Sequence, residues 1–173
     1  MIVTSTPTQT DIYTALRTVL LEIIENVEVI QGEGNRVPTP LGEFIVIQAI
    51  SQTRLTNDNI NKYSDPFPLD GSKLITSKIQ YAVQIDCFGA NSSNNANKIV
   101  ALLRDDFGIS LLQCLYCSEP TQAPLTSGEE TYIQRWMITA EMQVNFDIGI
   151  KQEFFDKAGT IDLIEVDTHF PAT

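Results

Sequence analysis

Paired cysteines and a histidine are the first residues in this chain whose types could carry chemistry. Cys114 and Cys117 have the spacing of half a zinc site, but the sequence supplies no second pair and no nearby histidine to complete four ligands. We therefore interpret both as small buried hydrophobic residues. The single histidine, His169, lies four residues from the C-terminal Thr173. We interpret it as a surface residue, because a catalytic pair needs a histidine held beside a nucleophile in an ordered core.

Adjacent aspartates and closely spaced glycines are the other candidates. Asp105 and Asp106 end a predicted helix. Neighbouring residues on a helix point to different faces, which favours a solvated helix end over a metal site. Gly32 and Gly34 follow a predicted helix rather than a strand, and the third glycine of a dinucleotide-binding loop is missing. We assign no catalytic, cofactor-binding or metal-binding residue and predict that the protein is not an enzyme.

The length and charge of the chain limit its function further. Its 173 residues, 43 % of them hydrophobic, predict a single domain over 1–173 with a C-terminal extension at 148–173. The 22 acidic and 11 basic residues leave a net charge of −11, which repels nucleic acid phosphates but suits a wall past which DNA slides. Three cysteines indicate a reducing compartment, and neither a signal peptide nor a membrane span is evident, so we expect a soluble protein.

Two segments have the apolar spacing of amphipathic helices. Residues 7–26 form the first, with Thr8 or Thr10 as the N-cap and Asp11 in the first turn. Its apolar positions recur at intervals of three and four residues: Ile12, Leu16, Val19, Leu20, Ile23 and Ile24. Residues 91–107 form the second. Its apolar stripe consists of Ala96, Ile99, Leu102, Leu103 and Phe107.

The predicted strands are of two kinds. Residues 43–53 predict a strand buried on both faces, whereas 74–88 and 130–146 alternate between apolar and polar side chains. Residues 161–166 predict an edge strand. Residues 57–72 predict a long polar loop of the kind that is usually functional or disordered, and we expect it to move or to become ordered on assembly. The two alternating strands imply an antiparallel sheet with one solvent-exposed face, on which Asp86 and Arg135 lie. We predict an α+β fold in which an antiparallel or mixed sheet of about four to five strands is flanked by two helices on one face.

Several segments, in order along nearly the whole chain, resemble the phage neck or tail terminator family. The first group is Asp11-Ile12-Tyr13-Thr14-Ala15-Leu16-Arg17, Val29-Ile30-Gln31-Gly32 and Asn35-Arg36-Val37-Pro38-Thr39-Pro40. The second group is Tyr81-Ala82-Val83-Gln84-Ile85-Asp86-Cys87-Phe88-Gly89 and Leu103-Arg104-Asp105-Asp106-Phe107. The third group is Pro124-Leu125, Gly128-Glu129, Tyr132-Ile133-Gln134-Arg135-Trp136, Gln143-Val144-Asn145-Phe146 and Val166-Asp167-Thr168-His169-Phe170-Pro171.

The resemblance implies a structural virion protein of the tail or neck, made and assembled in the host bacterial cytoplasm. Such subunits form a hexameric ring that caps the head-proximal end of the tail tube and ends its polymerisation. The ring joins the tube to an adaptor or head-completion protein and, in contractile tails, to the sheath, while DNA passes through the lumen. A ring needs heterologous interfaces, in which one face of a subunit meets a different face of the next.

Candidate interface residues come from loops, a helix end and the middle of a strand. They are Gln31, Asn35, Arg36, Pro38, Pro40, Asp65, Phe67, Arg104, Asp105 and Arg135. Arg36, on a loop made rigid by prolines, suits a carboxylate on another subunit, although a local salt bridge is an equal alternative. Three rival functions stay open: a head-completion or adaptor protein with about twelve subunits, a small metal-dependent enzyme using Asp105, and a monomeric bacterial adaptor module that binds partners by β-augmentation on its own exposed edge.

Overall fold

The computed structural model describes residues 3–32, 40–56, 59–64, 71–105, 111–123, 125–126 and 132–151. These residues form two helices, α1 (Gln9–Ile23) and α2 (Ser92–Arg104), with a large sheet and a small one. The strands in chain order are β1 (Val3–Thr6), β2 (Glu28–Gln31), β3 (Phe44–Arg54), β4 (Ile60–Ser64), β5 (Ser72–Phe88), β6 (Gln113–Cys117), β7 (Thr121–Gln122), β8 (Leu125–Thr126), β9 (Tyr132–Ile133) and β10 (Arg135–Lys151). The predicted α+β class is confirmed.

The large sheet is built on two long antiparallel strands. β5 and β10 are each 17 residues long and pair along their whole length. β3 and β4 follow one another along the free side of β5, while β7, β6 and β1 follow one another along the free side of β10. β2 pairs parallel with β3. The predicted number of four to five strands is wrong, because this sheet contains eight strands. Some of them lie end to end, so the sheet is five strands wide.

The main core lies between this sheet and both helices. Alternate side chains of β5 and β10 are completely buried on the helix side: Val83, Ile85, Cys87, Ile138, Ala140 and Met142. They pack in one cluster with α1, through Leu16 and Leu20, and with α2, through Ile99 and Leu103. The predicted alternation of these strands and the placement of two helices on one face are therefore confirmed.

Helix α1 begins where its sequence signals predicted. The Thr8 hydroxyl accepts a hydrogen bond from the Asp11 backbone N–H (3.2 Å), and the Asp11 carboxylate accepts one from the Thr8 backbone N–H (2.8 Å). This reciprocal capping box satisfies backbone donors that a helix start leaves free. The Thr8 hydroxyl also donates a hydrogen bond to the Asp11 carboxylate (2.7 Å), and this bond, together with the one from the Thr8 backbone N–H, lowers the pKa of Asp11. The helix is shorter than the predicted 7–26 and is followed by Asn26 at a φ of 56°.

A buried tyrosine links α1 to an irregularity in β3. The Tyr13 hydroxyl accepts a hydrogen bond from the Ala49 N–H at 2.9 Å, next to a register shift between Ala49 and Ser51 against β5. Before the shift, Phe44 and Ile45 are buried; after it, residues 50–54 are exposed. The prediction that β3 is buried on both faces is wrong for this second half, because the sheet continues past the helices.

The strand pairing corrects one further prediction. The predicted loop 57–72 contains β4, which pairs with β5. The boundary at 148 lies inside β10, whose last residues pair with β1 on one side and β5 on the other. The sequence patterns did not predict β1 or β2. The predicted edge strand at 161–166 lies outside the described residues.

Candidate assembly interface

One end of the large sheet extends beyond the two helices. We call it the open end: residues 3–6, 50–56, 59–64, 72–78 and 145–151. All residues of β1 and β4 are exposed. One row on the helix side crosses four strands, from Val3 through Ile150 and Lys73 to Tyr63. Val3 is 55 % exposed and Tyr63 is 60 % exposed, so this row presents apolar surface to solvent.

On the helix side of β5 and β10, the next residue pair toward the core is also apolar. Ile148 of β10 pairs with Ile75 of β5, and both side chains are only half-buried. The Lys73 ammonium lies 5.5 Å from the centroid of the Tyr63 ring, within the range of a cation–π contact. The strands of the open end therefore alternate apolar and polar side chains as the core strands do. No described helix packs on their apolar face.

Basic side chains are concentrated at the open end. It carries five of the 11 Lys and Arg residues of the chain: Arg54, Lys62, Lys73, Lys78 and Lys151. Among its described residues, Asp147 is the only acidic one, and the Thr76 hydroxyl donates a hydrogen bond to it. The described residues of the open end therefore carry a net positive charge, on a chain that is strongly acidic as a whole.

An acidic groove lies at the other end of the sheet. It has a volume of about 800 Å³ and separates the end of α1 from the start of α2. Its lining consists of Glu22, Ile23, Ile24, Glu25, Asn26, Glu43, Asn91, Asn94, Asn95, Asn97 and Lys98. Three carboxylates and one ammonium therefore share a surface otherwise composed mainly of amide side chains.

Glu43 joins the sheet to α2 inside this groove. Its carboxylate accepts hydrogen bonds from the backbone N–H of Asn91 (2.9 Å), the side-chain amide of Asn91 (2.6 Å) and that of Asn95 (3.4 Å). Gly89 has a φ of +108°, and a Cβ atom there would lie 2.7 Å from Cγ of Glu43. A glycine at this turn therefore leaves Glu43 room to reach the helix start.

The face of the sheet opposite the helices carries a connected aromatic and ionic cluster at the groove end. The rings of Phe44 and Phe88 stack with centroids 4.5 Å apart, and Arg135 lies over Phe88, 5.7 Å from its centroid. Nη2 of Arg135 is 2.9 Å from Oδ2 of Asp86, which also accepts hydrogen bonds from Gln84. The prediction that Asp86 and Arg135 face solvent is wrong: Asp86 is buried and Arg135 is half-buried by its neighbours.

The predicted interface residues are placed on separate elements. Gln31 is the exposed last residue of β2, Pro40 is half-buried before β3, and Asp105 is the exposed C-cap of α2. The other predicted residues, apart from Arg104 and Arg135, lie outside the described part of the chain: Asn35, Arg36, Pro38, Asp65 and Phe67.

Arg104 connects the end of α2 to the segment after β6. Its Nη2 atom donates to the Cys117 carbonyl (2.8 Å) and lies 2.8 Å from Oε1 of Glu119. The hydrogen bond with Glu119 is the main reason why the pKa of Arg104 is raised. Arg104 and Arg135 therefore bind different carboxylates, and the structure does not join them in one network. The sequence reasoning missed the basic open end, although four of its basic residues fall within 54–78.

The cysteines occupy packed positions. Cys87 and Cys117 are completely buried, whereas Cys114 is half-buried. Burial raises the pKa of the Cys87 thiol to about 12, with a further contribution from Asp86, and raises that of Cys117 to about 12, with a further contribution from Cys114. The described residues contain no group of three or more His, Cys, Asp or Glu side chains placed to hold a metal ion.

Together these features define an α+β protein whose conspicuous surfaces are a basic, partly apolar sheet end and an acidic groove. The sequence model of the phage neck terminator proteins matches residues 10–172. The chain belongs to this family and is a structural protein of the bacteriophage virion. No curated protein matches the chain. Neither described helix is long and apolar enough to cross a membrane.

Proposed function

We propose that the protein forms a hexameric ring that caps the head-proximal end of the tail tube. The ring stops the addition of tube subunits and joins the tail to the neck or head. The observation that carries this proposal is the open end of the sheet, where Val3 and Tyr63 lie exposed in one row on the helix side.

An apolar sheet surface of this kind favours assembly. Monomeric soluble proteins rarely expose large contiguous apolar patches, and such patches commonly mark contacts with other proteins. The row that includes Ile150 and the next, which includes Ile148 and Ile75, continue the alternation that buries the core face under the helices. Covering these side chains with another subunit removes apolar surface from water.

The charge of the chain suits the proposed lumen. A net charge of −11 disfavours stable binding to DNA phosphates, because like charges repel and no counterions are released. DNA then passes the ring without specific binding. The proposed partners are the tail tube protein, an adaptor or head-completion protein above the ring and, in a contractile tail, the sheath.

Size measurement of the purified protein tests the proposal. We expect multi-angle light scattering to give the mass of six subunits for the protein alone, or of a complex that contains six copies after addition of tail tube protein. We expect particle averaging to show sixfold rings. A ring of about twelve subunits would indicate a connector. A protein that stays monomeric in both conditions, together with tails of normal length in virions lacking it, would overturn the proposal.

Two matched tyrosines make the test specific to the open end. Tyr63 is 60 % exposed on β4 and Tyr116 is 56 % exposed on β6. We expect Tyr63→Asp to reduce the fraction of protein in rings, because it places a charge in the apolar row, whereas Tyr116→Asp leaves it unchanged. Equal losses for both variants would contradict a specific role of the open end.

The loop interface residues remain part of the proposal. We expect Arg36→Ala to weaken contact within the ring or with the tube while leaving the melting temperature unchanged. A fall in melting temperature as large as the loss of assembly would show that Arg36 has a structural role instead.

A further inference from the structure

We infer that neighbouring subunits associate head to tail, with the basic open end of one copy docked against the acidic groove of the next. This inference rests on the proposed ring and specifies its interface. The two surfaces that it joins are different, as the closure of a ring by heterologous contacts requires.

The two surfaces lie at opposite ends of the same strand. β5 begins at the open end with Ser72 and ends at Phe88, which pairs with Phe44. Glu43, the residue before Phe44, lines the groove. A strand of 17 residues spans roughly 50 Å at about 3.3 Å per residue, so one subunit cannot bring its own two surfaces together. A second copy can satisfy both of them.

The charges of the two surfaces indicate that a second copy of this chain occupies the groove. Each copy carries a net charge of −11, so two copies repel one another over most of their surfaces. At the open end, the described residues include five basic side chains against one acidic side chain, Asp147. The lining of the groove contains three carboxylates, those of Glu22, Glu25 and Glu43, and one ammonium group, that of Lys98. Docking these two surfaces replaces repulsion by attraction, and complementary potentials of this kind determine which faces of two proteins meet.

The position of the basic residues favours a protein groove over DNA as the occupant. Strand alternation places Lys62 and Lys78 on the face away from the helices, and Lys73 and Arg54 on the helix side. The basic residues therefore surround the end of the sheet instead of forming a stripe along one face. This arrangement differs from the Lys and Arg cluster on one face that is typical of DNA-binding surfaces.

Charge reversal on each surface tests the inference. The open-end variant is Arg54→Glu/Lys62→Glu/Lys78→Glu, and the groove variant is Glu22→Lys/Glu25→Lys; all five side chains are exposed. We expect each variant to fold, with an unchanged circular dichroism spectrum, but to lose ring formation by at least about tenfold in apparent association constant. We expect an equimolar mixture to restore rings, because every interface in an alternating ring then joins opposite charges.

Lys98→Glu is the matched control. It reverses a lysine as the open-end variant does, but it lies in the groove, where a further negative charge strengthens attraction to a basic surface. We expect Lys98→Glu to form rings at least as well as the wild-type protein. Loss of rings in this control, as in the open-end variant, would overturn the inference.

The remaining outcomes separate this inference from the proposed function. If both charge-reversal variants form rings like the wild-type protein, the head-to-tail charge contact is refuted while the ring itself stands. If the open-end variant keeps its rings but loses affinity for a short DNA duplex that the wild-type protein binds, the basic residues contact nucleic acid and the inference is refuted. If the wild-type protein forms no ring with or without tail tube protein, the proposed function fails, and this inference fails with it.

Discussion

Nη2 of Arg135 lies 2.9 Å from Oδ2 of Asp86, across the two longest strands of the sheet. The Asp86 side chain is 5 % exposed and the Arg135 side chain is 23 % exposed. The carboxylate therefore depends on this guanidinium and on Gln84 for the interactions that it loses with water.

We expect Arg135→Ala to lower the free energy of unfolding by roughly 2–3 kcal/mol, because it leaves a buried carboxylate without its cation. The partial exposure of Arg135 keeps this value below that of a fully buried pair. Urea denaturation followed by circular dichroism measures it. Glu119→Ala is the control, since Glu119 is 77 % exposed in its pair with Arg104 and should cost less than about 1 kcal/mol. Equal effects of the two variants would contradict a structural role for Arg135.

We expect Tyr13→Phe to lower the free energy of unfolding by about 1–2 kcal/mol, because the Ala49 N–H loses the hydroxyl that accepts its hydrogen bond. Tyr13 is buried, so water does not readily replace the hydroxyl. Denaturation of Tyr116→Phe gives the control, expected within about 0.5 kcal/mol of wild type because Tyr116 is exposed. A neutral Tyr13→Phe would show that the register shift in β3 does not need this contact.

We expect Trp136→Ala to cost about 2–3 kcal/mol, less than the truncation of a fully buried tryptophan. The indole lies on the helix side of β10 and packs against the core, but it is only half-buried. Thermal and urea denaturation measure the loss. An unchanged stability would mean that the indole contributes no packing, and would contradict its inward orientation.

We expect the stability of the protein to fall as the pH rises above about 9. Cys87 and Cys117 have a pKa of about 12 in the folded state, against an ordinary value of 9.0, so the unfolded chain releases their protons first. Their contribution is complete below pH 9 and is lost as the pH approaches 12. Measurements of the free energy of unfolding between pH 7 and pH 11 test whether stability falls as the pH rises.

The variant Cys87→Ala/Cys117→Ala provides the control for this pH dependence. It should be less stable at pH 7 but should show a shallower decline above pH 9, because the two titrating thiols are gone. At pH 8, we expect a thiol reagent to modify half-buried Cys114 before either buried cysteine. Rapid modification of all three thiols in the folded protein would contradict the burial of Cys87 and Cys117.

Local sequence patterns predicted the parts of the fold that a continuous segment can specify. The alternation in 74–88 and 130–146 predicted β5 and β10 and their helix-side faces, because side chains on a strand point to opposite faces in turn. The threonine at position 8 and the acidic residue three positions later predicted the start of α1. The order of family-like segments correctly indicated the neck terminator family.

The short strands could not be predicted in the same way. β1, β2 and β4 have four or five residues each, and β1 and β4 are entirely exposed, so they lack an alternating apolar pattern. They exist because β3, β5 and β10 offer backbone hydrogen-bonding groups along their free sides. The burial of Asp86 was missed for a related reason, since its burial and its ion pair depend on cross-strand neighbours.

The sequence by itself determined the α+β class, the two amphipathic helices and the inward faces of the long strands, because each depends on residues that are near one another in the chain. It also determined the membership of the family, because short segments follow one another in the family's order. The tertiary structure alone decided which charges gather at each end of the molecule. Lys62 and Lys151 share the open end, and Glu22 and Glu43 share the groove, because strand pairing and helix packing bring together residues from distant parts of the chain.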